Sequence, residues 1–155
     1  MRKYRFGGRG EGWVLAQLAL FLLFLLTPRI GPIWPTPTVF HGAGIALALA
    51  GMAVLGYSAV NLGHSLTPFP KPLPTAQLIT SGVYRFVRHP IYLGVLLAAL
   101  GLSLFSLSPL RLLLTLALVA FFDRKADREE AWLLERYPEY GAYRGRVKKL
   151  LPWIY

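Results

Sequence analysis

Cysteine is absent from the sequence, charge is scarce, and acidic charge is scarcer still. With no cysteine there can be no disulfide, no thiolate metal ligand and no sulfur nucleophile. Charged side chains make up 15% of the chain and avoid its long apolar stretches, while hydrophobic residues make up 55%. That distribution belongs to an integral membrane protein and excludes an ordinary soluble domain. Seven acidic residues face seventeen basic ones, a formal net charge of +10. The excess does not mark a nucleic-acid binder, because the basic residues flank apolar spans instead of lining a polar face. Membrane topology and anionic lipid headgroups account for them. Histidine is limited to His41, His64 and His89, too scattered for a metal site, so no metal is expected.

What is present is a succession of four apolar runs in a single domain of 155 residues. The basic start Met1-Arg2-Lys3-Tyr4-Arg5 imitates a signal peptide, but Pro28-Arg29 and Pro32 follow the apolar run where small residues would mark cleavage. A retained anchor is therefore expected. Gly8, Gly10 and Gly12 lack the spacing of a dinucleotide fingerprint and read as a flexible terminus. Spans are predicted over residues 13–27 and 39–62, joined by a loop with Pro28, Pro32, Pro35 and Pro37 that holds Arg29 and Trp34. In the second span Gly42, Ala46 and Ala50 recur at four-residue steps, with Gly44 and Ala48 as a second pair. Such small residues let helices pack closely, within one chain or between chains. Residues 63–89 are polar, with Pro68, Pro70, Pro72 and Pro74 keeping the backbone extended. Residues 91–107 and 109–122 make two short spans in a tight hairpin with Arg111 at its turn. A charged helix over 123–137 and a basic aromatic tail over 140–155 complete the chain.

The expected architecture is an all-α integral membrane protein with about four transmembrane helices, the last two a hairpin, plus a cytosolic C-terminal helix. Residues 1–62 supply two N-terminal spans and residues 63–155 the polar segment, the helical hairpin and the C-terminal helix, within one domain over 1–155. Only Arg29 and Arg111 carry positive charge in the loops of one side. The positive-inside rule then places both termini and the central polar segment in the cytoplasm, at the inner membrane.

Residues 80–94 concentrate the chemistry: Tyr84, Arg85, Arg88, His89 and Tyr92 gather around Pro90. Proline's fixed φ and missing N–H suit the first position of a helix, which puts Arg88 and His89 at the cap. The free N–H groups of that turn, with Arg85 and Arg88, are expected to converge on one point and form an anion site. In the charged helix, Ala126, Glu130, Leu133 and Tyr137 share a stripe. Glu130 therefore lies on the packing face and needs Arg85, Arg88 or a bound ammonium as partner. Glu129 lies on another stripe one turn after Lys125, either a ligand or half of an exposed ion pair. Tyr84 and Tyr92 offer a ring to a cation or a hydroxyl to a ribose, or else serve as interfacial anchors.

Taken in order, Leu66-Thr67-Pro68-Phe69-Pro70, Tyr84-Arg85, Arg88-His89-Pro90, Tyr92, Gly94, Glu129-Glu130, Tyr140, Tyr143, Val147 and Leu151-Pro152 resemble the isoprenylcysteine carboxyl methyltransferase family. Phospholipid methyltransferases share a related form of the pattern. The resemblance covers residues 60–155, with Val83 where proline is usual and Tyr137-Pro138 where Phe-Gly is common. It implies a membrane methyltransferase without a Rossmann fold that uses S-adenosylmethionine, releases S-adenosylhomocysteine and admits a lipophilic acceptor from the bilayer. Carried over by position, it places Tyr84, His89, Pro90, Tyr92, Glu129 and Glu130 around the cofactor, with Tyr140, Tyr143 and Arg146 closing the pocket.

The chemistry of the residues agrees with that implication. Displacement from a sulfonium needs a held nucleophile in a dry site and no metal. A carboxylate acceptor calls for an arginine clamp, with Arg85, Arg88 and Arg146 as candidates and Arg146 preferred. Glu130 then pairs with that arginine or with the cofactor's amino group. A prenylcysteine-like carboxylate is the first candidate acceptor, and phospholipid or amine N-methylation stays open. Two other classes compete: an NADPH-dependent membrane reductase of the steroid-reductase type, and a non-catalytic adaptor whose charges serve topology alone.

Overall fold

Proline and glycine, not hydrophobic periodicity, set the limits and the packing of the helices. The computed structural model describes residues 8–28 and 36–155. The basic start and the loop residues Arg29, Pro32, Trp34 and Pro35 lie outside the described residues. The helices are α1 (Glu11–Leu26), α2 (Pro37–Leu62), α3 (Pro90–Phe105), α4 (Pro109–Arg136) and α5 (Tyr140–Arg146). Single 3₁₀ turns lie at Gly63–Ser65 and Gly82–Arg85. Proline opens α2, α3 and α4, where its missing N–H costs nothing because the first turn has no intrahelical acceptor. The one β-type contact among the described residues is a parallel bridge between Val87 and Lys148.

Helices α2 and α3 run antiparallel in backbone contact. A Cβ built on Gly101 would stand 2.4 Å from the Ala48 nitrogen and 2.6 Å from the Gly44 carbonyl oxygen, and one on Gly51 would stand 2.6 Å from the Gly94 carbonyl oxygen. Gly44 and Gly51, seven residues apart, thus face Gly101 and Gly94, also seven apart. This corrects the expected four-residue register. Gly44 and Ala48 do lie at the seam, but Gly42, Ala46 and Ala50 are exposed on the opposite side of α2. A seven-residue step keeps one face of a helix turned to its partner, and only glycine admits so close an approach there.

The other elements close around this pair. Phe24 of α1, Ala99 of α3, and Leu118 and Phe122 of α4 form the buried core. The α3–α4 hairpin is fixed by a 3.0 Å hydrogen bond between Ser103 Oγ and Thr115 Oγ1 and by Ser108, whose Oγ accepts from the Arg111 amide at 3.3 Å. Arg111 Nη2 donates to the Thr27 carbonyl at 3.1 Å, tying the turn to the end of α1.

Two expectations change. The fourth span and the charged helix are a single 28-residue helix, about 42 Å long. No proline or glycine occurs between Leu110 and Arg136 to break it. The glycine-rich segment is also not a loose end. Gly10 adopts φ +84° against Pro70 and Trp132, Arg9 Nη2 donates to Thr67 Oγ1 at 3.4 Å, and Glu11 is buried. The proline-rich segment is thereby fastened to the start of α1.

Among the described residues, α2 with its 3₁₀ extension is the one helix long and apolar enough to cross a bilayer, and α1 and α3 are shorter apolar helices of 16 residues. Leu15, Leu18 and Leu22 of α1, Leu49 and Val60 of α2, and Leu113 and Leu116 of α4 are exposed, an apolar belt suited to lipid.

The glycine seam makes a specific prediction. Gly101→Val should destabilise the detergent-solubilised protein by at least about 1–3 kcal/mol, the range for overpacking. Gly42→Ala, where an added Cβ meets nothing within 4 Å, should not lower the thermal midpoint and should raise it slightly, since alanine favours helix over glycine.

Candidate active site

Glu130 is the centre of a buried charge cluster that joins three parts of the chain, the start of α3, α4 and α5. The residue is 1% exposed. Its Oε1 accepts from Arg88 Nε at 2.8 Å and lies 2.9 Å from His89 Nε2. Arg144 Nε stands 3.1 Å from Oε2, close enough for charge attraction without the alignment of a hydrogen bond. Burial alone would raise the Glu130 carboxyl, but hydrogen bonds from His89 and Arg88, together with their charge, outweigh it and bring it down to about 2. Glu130 is therefore ionised. The proton between it and His89 sits on Nε2, so His89 is the donor.

Backbone pairing positions these groups. His89 is the residue before Pro90 in α3, as the proline rule predicts. The Arg88 and His89 amides donate to the carbonyls of Lys148 and Lys149 at 2.8 and 3.1 Å. Arg88 Nη1 donates to the carbonyls of Arg144, at 3.1 Å, and Val147. The C-terminal segment is held a second time by Lys149, whose Nζ lies 2.6 Å from both Asp123 Oδ1 and Asp127 Oδ1. Tyr155 Oη donates to the same Asp123 oxygen at 2.8 Å.

Next to this cluster, Glu129 Oε2 accepts from Tyr92 Oη at 2.5 Å. The Tyr92 ring lies parallel to His89, with centroids 5.2 Å apart. Tyr143 Oη donates to the Tyr84 carbonyl, and the buried Tyr140 Oη has no hydrogen-bond partner among the described residues. Burial, and the nearby Glu129 or Glu130 carboxylate, raise the hydroxyls of Tyr84, Tyr140 and Tyr143 above their usual range. They are neutral donors, not phenolate bases.

Two adjoining spaces flank these side chains. An outer cleft of about 80 Å³ runs between the proline-rich segment and α4–α5, bounded by Phe69, Gln77, Leu133, Tyr137 and Tyr140. An inner cavity of about 430 Å³ is bounded by Gln17, Phe21, Leu55, Tyr92, Phe122 and Lys125. Leu62, Thr67, Tyr84, Arg88 and Glu129 line both. The cleft mixes apolar side chains with tyrosines, Gln77 and charged groups, and the cavity on the other side of Glu129 is more apolar still.

The structure brings Tyr84, Arg88, His89, Pro90, Tyr92, Glu129, Glu130, Tyr140 and Tyr143 together, but three details differ from expectation. Arg85 is exposed and lies over the Phe86 ring, so the two guanidinium groups do not converge, and Arg88 is committed to Glu130. Arg146 is exposed, its Nε donating to the Ala142 carbonyl at 3.3 Å. Arg144, two residues earlier on α5, reaches the carboxylate instead. Lys125 does not form an exposed pair with Glu129. It is buried, and its Nζ donates to Gln17 Oε1 at 2.5 Å and to the Pro68 carbonyl at 3.0 Å. Gln17 did carry a signal, being the one polar side chain between Trp13 and Leu26.

Comparison with known proteins falls on these same segments. The family model for phospholipid methyltransferases matches residues 39–140. A probable protein-S-isoprenylcysteine O-methyltransferase of Oryza sativa subsp. indica is 33% identical over 134 residues, covering 84% of this chain and 68% of the rice protein. The protein-S-isoprenylcysteine O-methyltransferase of Schizosaccharomyces pombe is 38% identical over 121 residues, 76% of this chain and 51% of that protein. The fold is similar to the solved structure of the eukaryotic intramembrane Ras methyltransferase ICMT, with TM-score 0.68 and 22% identity over 95% of this chain and 54% of that one. The chain thus spans about half the length of the latter two proteins.

A depressed carboxyl pKa means that Glu130 stabilises the fold above its unfolded value and ceases to as pH falls through the folded one. The thermal midpoint should therefore drop between pH about 4.5 and about 2. Glu130→Gln strands Arg88 and should cost about 3 kcal/mol or more at neutral pH. It should also flatten the acid limb of a midpoint-against-pH plot.

Proposed function

The chain belongs to the isoprenylcysteine carboxyl methyltransferase family, and on that premise we propose that it transfers a methyl group from S-adenosylmethionine to a lipophilic carboxylate. The acceptor class is that of a prenylated cysteine, as the names of the rice and yeast relatives indicate for those proteins. The observation that carries the reading is the junction at Glu129, where a cleft with tyrosine hydroxyls, Gln77 and a carboxylate in its lining adjoins a more apolar cavity. One substrate of each polarity is what this reaction requires.

The residues at the junction suit the cofactor. Tyr140 offers a buried hydroxyl without a partner, Tyr84 and Tyr137 offer rings, and Glu129 is a partly exposed carboxylate suited to an ammonium or sulfonium. When bound, S-adenosylmethionine supplies an electrophilic methyl carbon: its C–S bond breaks as a C–O bond to the acceptor forms. A carboxylate acceptor is already deprotonated near neutral pH, so no side chain has to take a proton. The work left to the chain is to bind, align and keep water out.

Each part then has a task. Glu129, held by Tyr92, and Tyr84, His89, Pro90, Tyr140 and Tyr143 form the cofactor side. Phe21, Leu55 and Phe122 line the path of the lipid tail. Arg88 and Glu130 hold α3, α4 and the C-terminal segment in register, so their loss should act on every step together. The exposed Arg146 is not assigned the role of clamp. In this reading, α1, α2, α3 and the apolar first half of α4 lie in the bilayer, with α1 and α3 in a locally thinned region. The site faces the cytoplasm, as the bias of positive charge indicates.

Calorimetry with S-adenosylhomocysteine and with NADPH tests the reading. Binding of the first alone is expected, together with label transfer from methyl-labelled cofactor to N-acetyl-S-farnesylcysteine as a base-labile ester. Binding of NADPH alone would transfer the chain to the reductases. Glu129→Gln should weaken S-adenosylhomocysteine about 10- to 100-fold, the worth of a charge-assisted hydrogen bond.

A further inference from the structure

The inner cavity contains a cation that the reaction as described so far does not use. Lys125 is 2% exposed, one turn beyond Phe122 and one turn before Glu129 on α4. Its Nζ donates to the Gln17 side chain at 2.5 Å and the Pro68 carbonyl at 3.0 Å. It also lies 5.5 Å from the Tyr92 ring centroid and 6.0 Å from that of Phe122. The 2.5 Å contact has the length of a charge-assisted bond. Both acceptors are neutral, and an ammonium has three protons to donate. Among the described residues, no carboxylate comes within ion-pair distance of Nζ, and Glu129, a turn away, accepts from Tyr92 instead.

That is unusual within this molecule. Lys149 is nearly as buried and has two aspartates at 2.6 Å, and Arg88 has Glu130 at 2.8 Å. A buried charge without a counter-ion is costly. If Lys125 served only to tie α1 and the proline-rich segment to α4, a neutral donor would do so at lower cost. This charge, with no ion-pair partner among the described residues, lies where the larger cavity adjoins the cleft.

Resting on the proposed methyl transfer, we propose that Lys125 holds the acceptor's carboxylate, with the lipid tail lying among Phe21, Leu55 and Phe122. The site thereby selects an anionic headgroup and rejects an amine, which is protonated at neutral pH and repelled by the lysine. Lys125 is a specificity residue for the acceptor and does not touch the cofactor.

The test compares binding of N-acetyl-S-farnesylcysteine with that of its carboxamide, by displacement of a fluorescent farnesyl probe without cofactor. Wild-type protein should bind the acid at least tenfold more tightly. Lys125→Met should weaken the acid at least tenfold, leave the amide within about twofold, and leave S-adenosylhomocysteine binding unchanged. Lys125→Arg should restore part of the preference. Equal binding of acid and amide by the wild type, or an equal fall for both in Lys125→Met, overturns the proposal. The wild-type comparison needs no variant to fold. Because it uses no turnover, it is also separate from the calorimetry that tests methyl transfer itself.

Discussion

A carboxylate with almost no access to solvent has to be surrounded by cations and donors, and the site is arranged to meet that demand. Glu130 collects Arg88 and His89 from the start of α3 and Arg144 from α5. These groups are 42, 41 and 14 positions away in sequence, so the charge closes two loops at once. Arg88 then extends the closure, because its Nη1 donates both to α5 and to the residue after it. The parallel bridge at Val87 and Lys148 completes the frame. Buried ion pairs are weak evidence for stability but good at fixing register. Here register means that a proline-started helix, a charged helix and the C-terminal segment keep one mutual placement.

Glycine contact between α2 and α3 performs the same task inside the apolar region. In lipid, hydrophobicity does not hold one helix to another, so packing and polar contacts must. The four glycines at the seam bring α3 against α2 and fix the depth and rotation of Pro90. Errors of an ångström there would reach His89 directly, since it precedes Pro90 in the chain. The packing of an exposed-looking apolar pair and the geometry of a polar cluster are therefore one problem.

Much of this was legible in the sequence. Pro90 at a helix start, Glu130 on a packed face and the apolar runs follow from local rules that distance along the chain does not disturb. The rest depended on partners that local rules do not see. The four-residue pattern of Gly42, Ala46 and Ala50 lies on the exposed side of α2 because Gly94 and Gly101 set a seven-residue register from α3. Lys125 and Glu129 have the spacing of a surface pair, yet each is drawn to a different element, Gln17 of α1 and Tyr92 of α3. Arg146, the expected clamp, shares a short helix with Arg144, which reaches Glu130 in its place. Two residues rotate the side chain by about 200°, and only the position of α5 decides which one points inward. The docking of Gly10 on Pro70 had no sequence signal beyond the glycine itself.

The continuity of α4 gives the arrangement its chemical sense. Phe122, Lys125, Glu129 and Leu133 follow one another at three- or four-residue steps along one side of a single unbroken helix, with Tyr137 just past its end. Apolar, cationic, anionic and aromatic groups thus succeed each other about 5–6 Å apart on one rigid support. In the proposed reaction, an anionic acceptor at Lys125 and a cationic donor at Glu129 would be set one turn apart by the helix itself, before any other element contributes. Two helices with a flexible joint after Phe122 would have to fix that separation through side-chain contacts. Here the backbone hydrogen bonds of α4 fix it. The remaining elements, Pro68 and Gln17 at the lysine and Tyr92 at the glutamate, only have to turn each charged group toward its space.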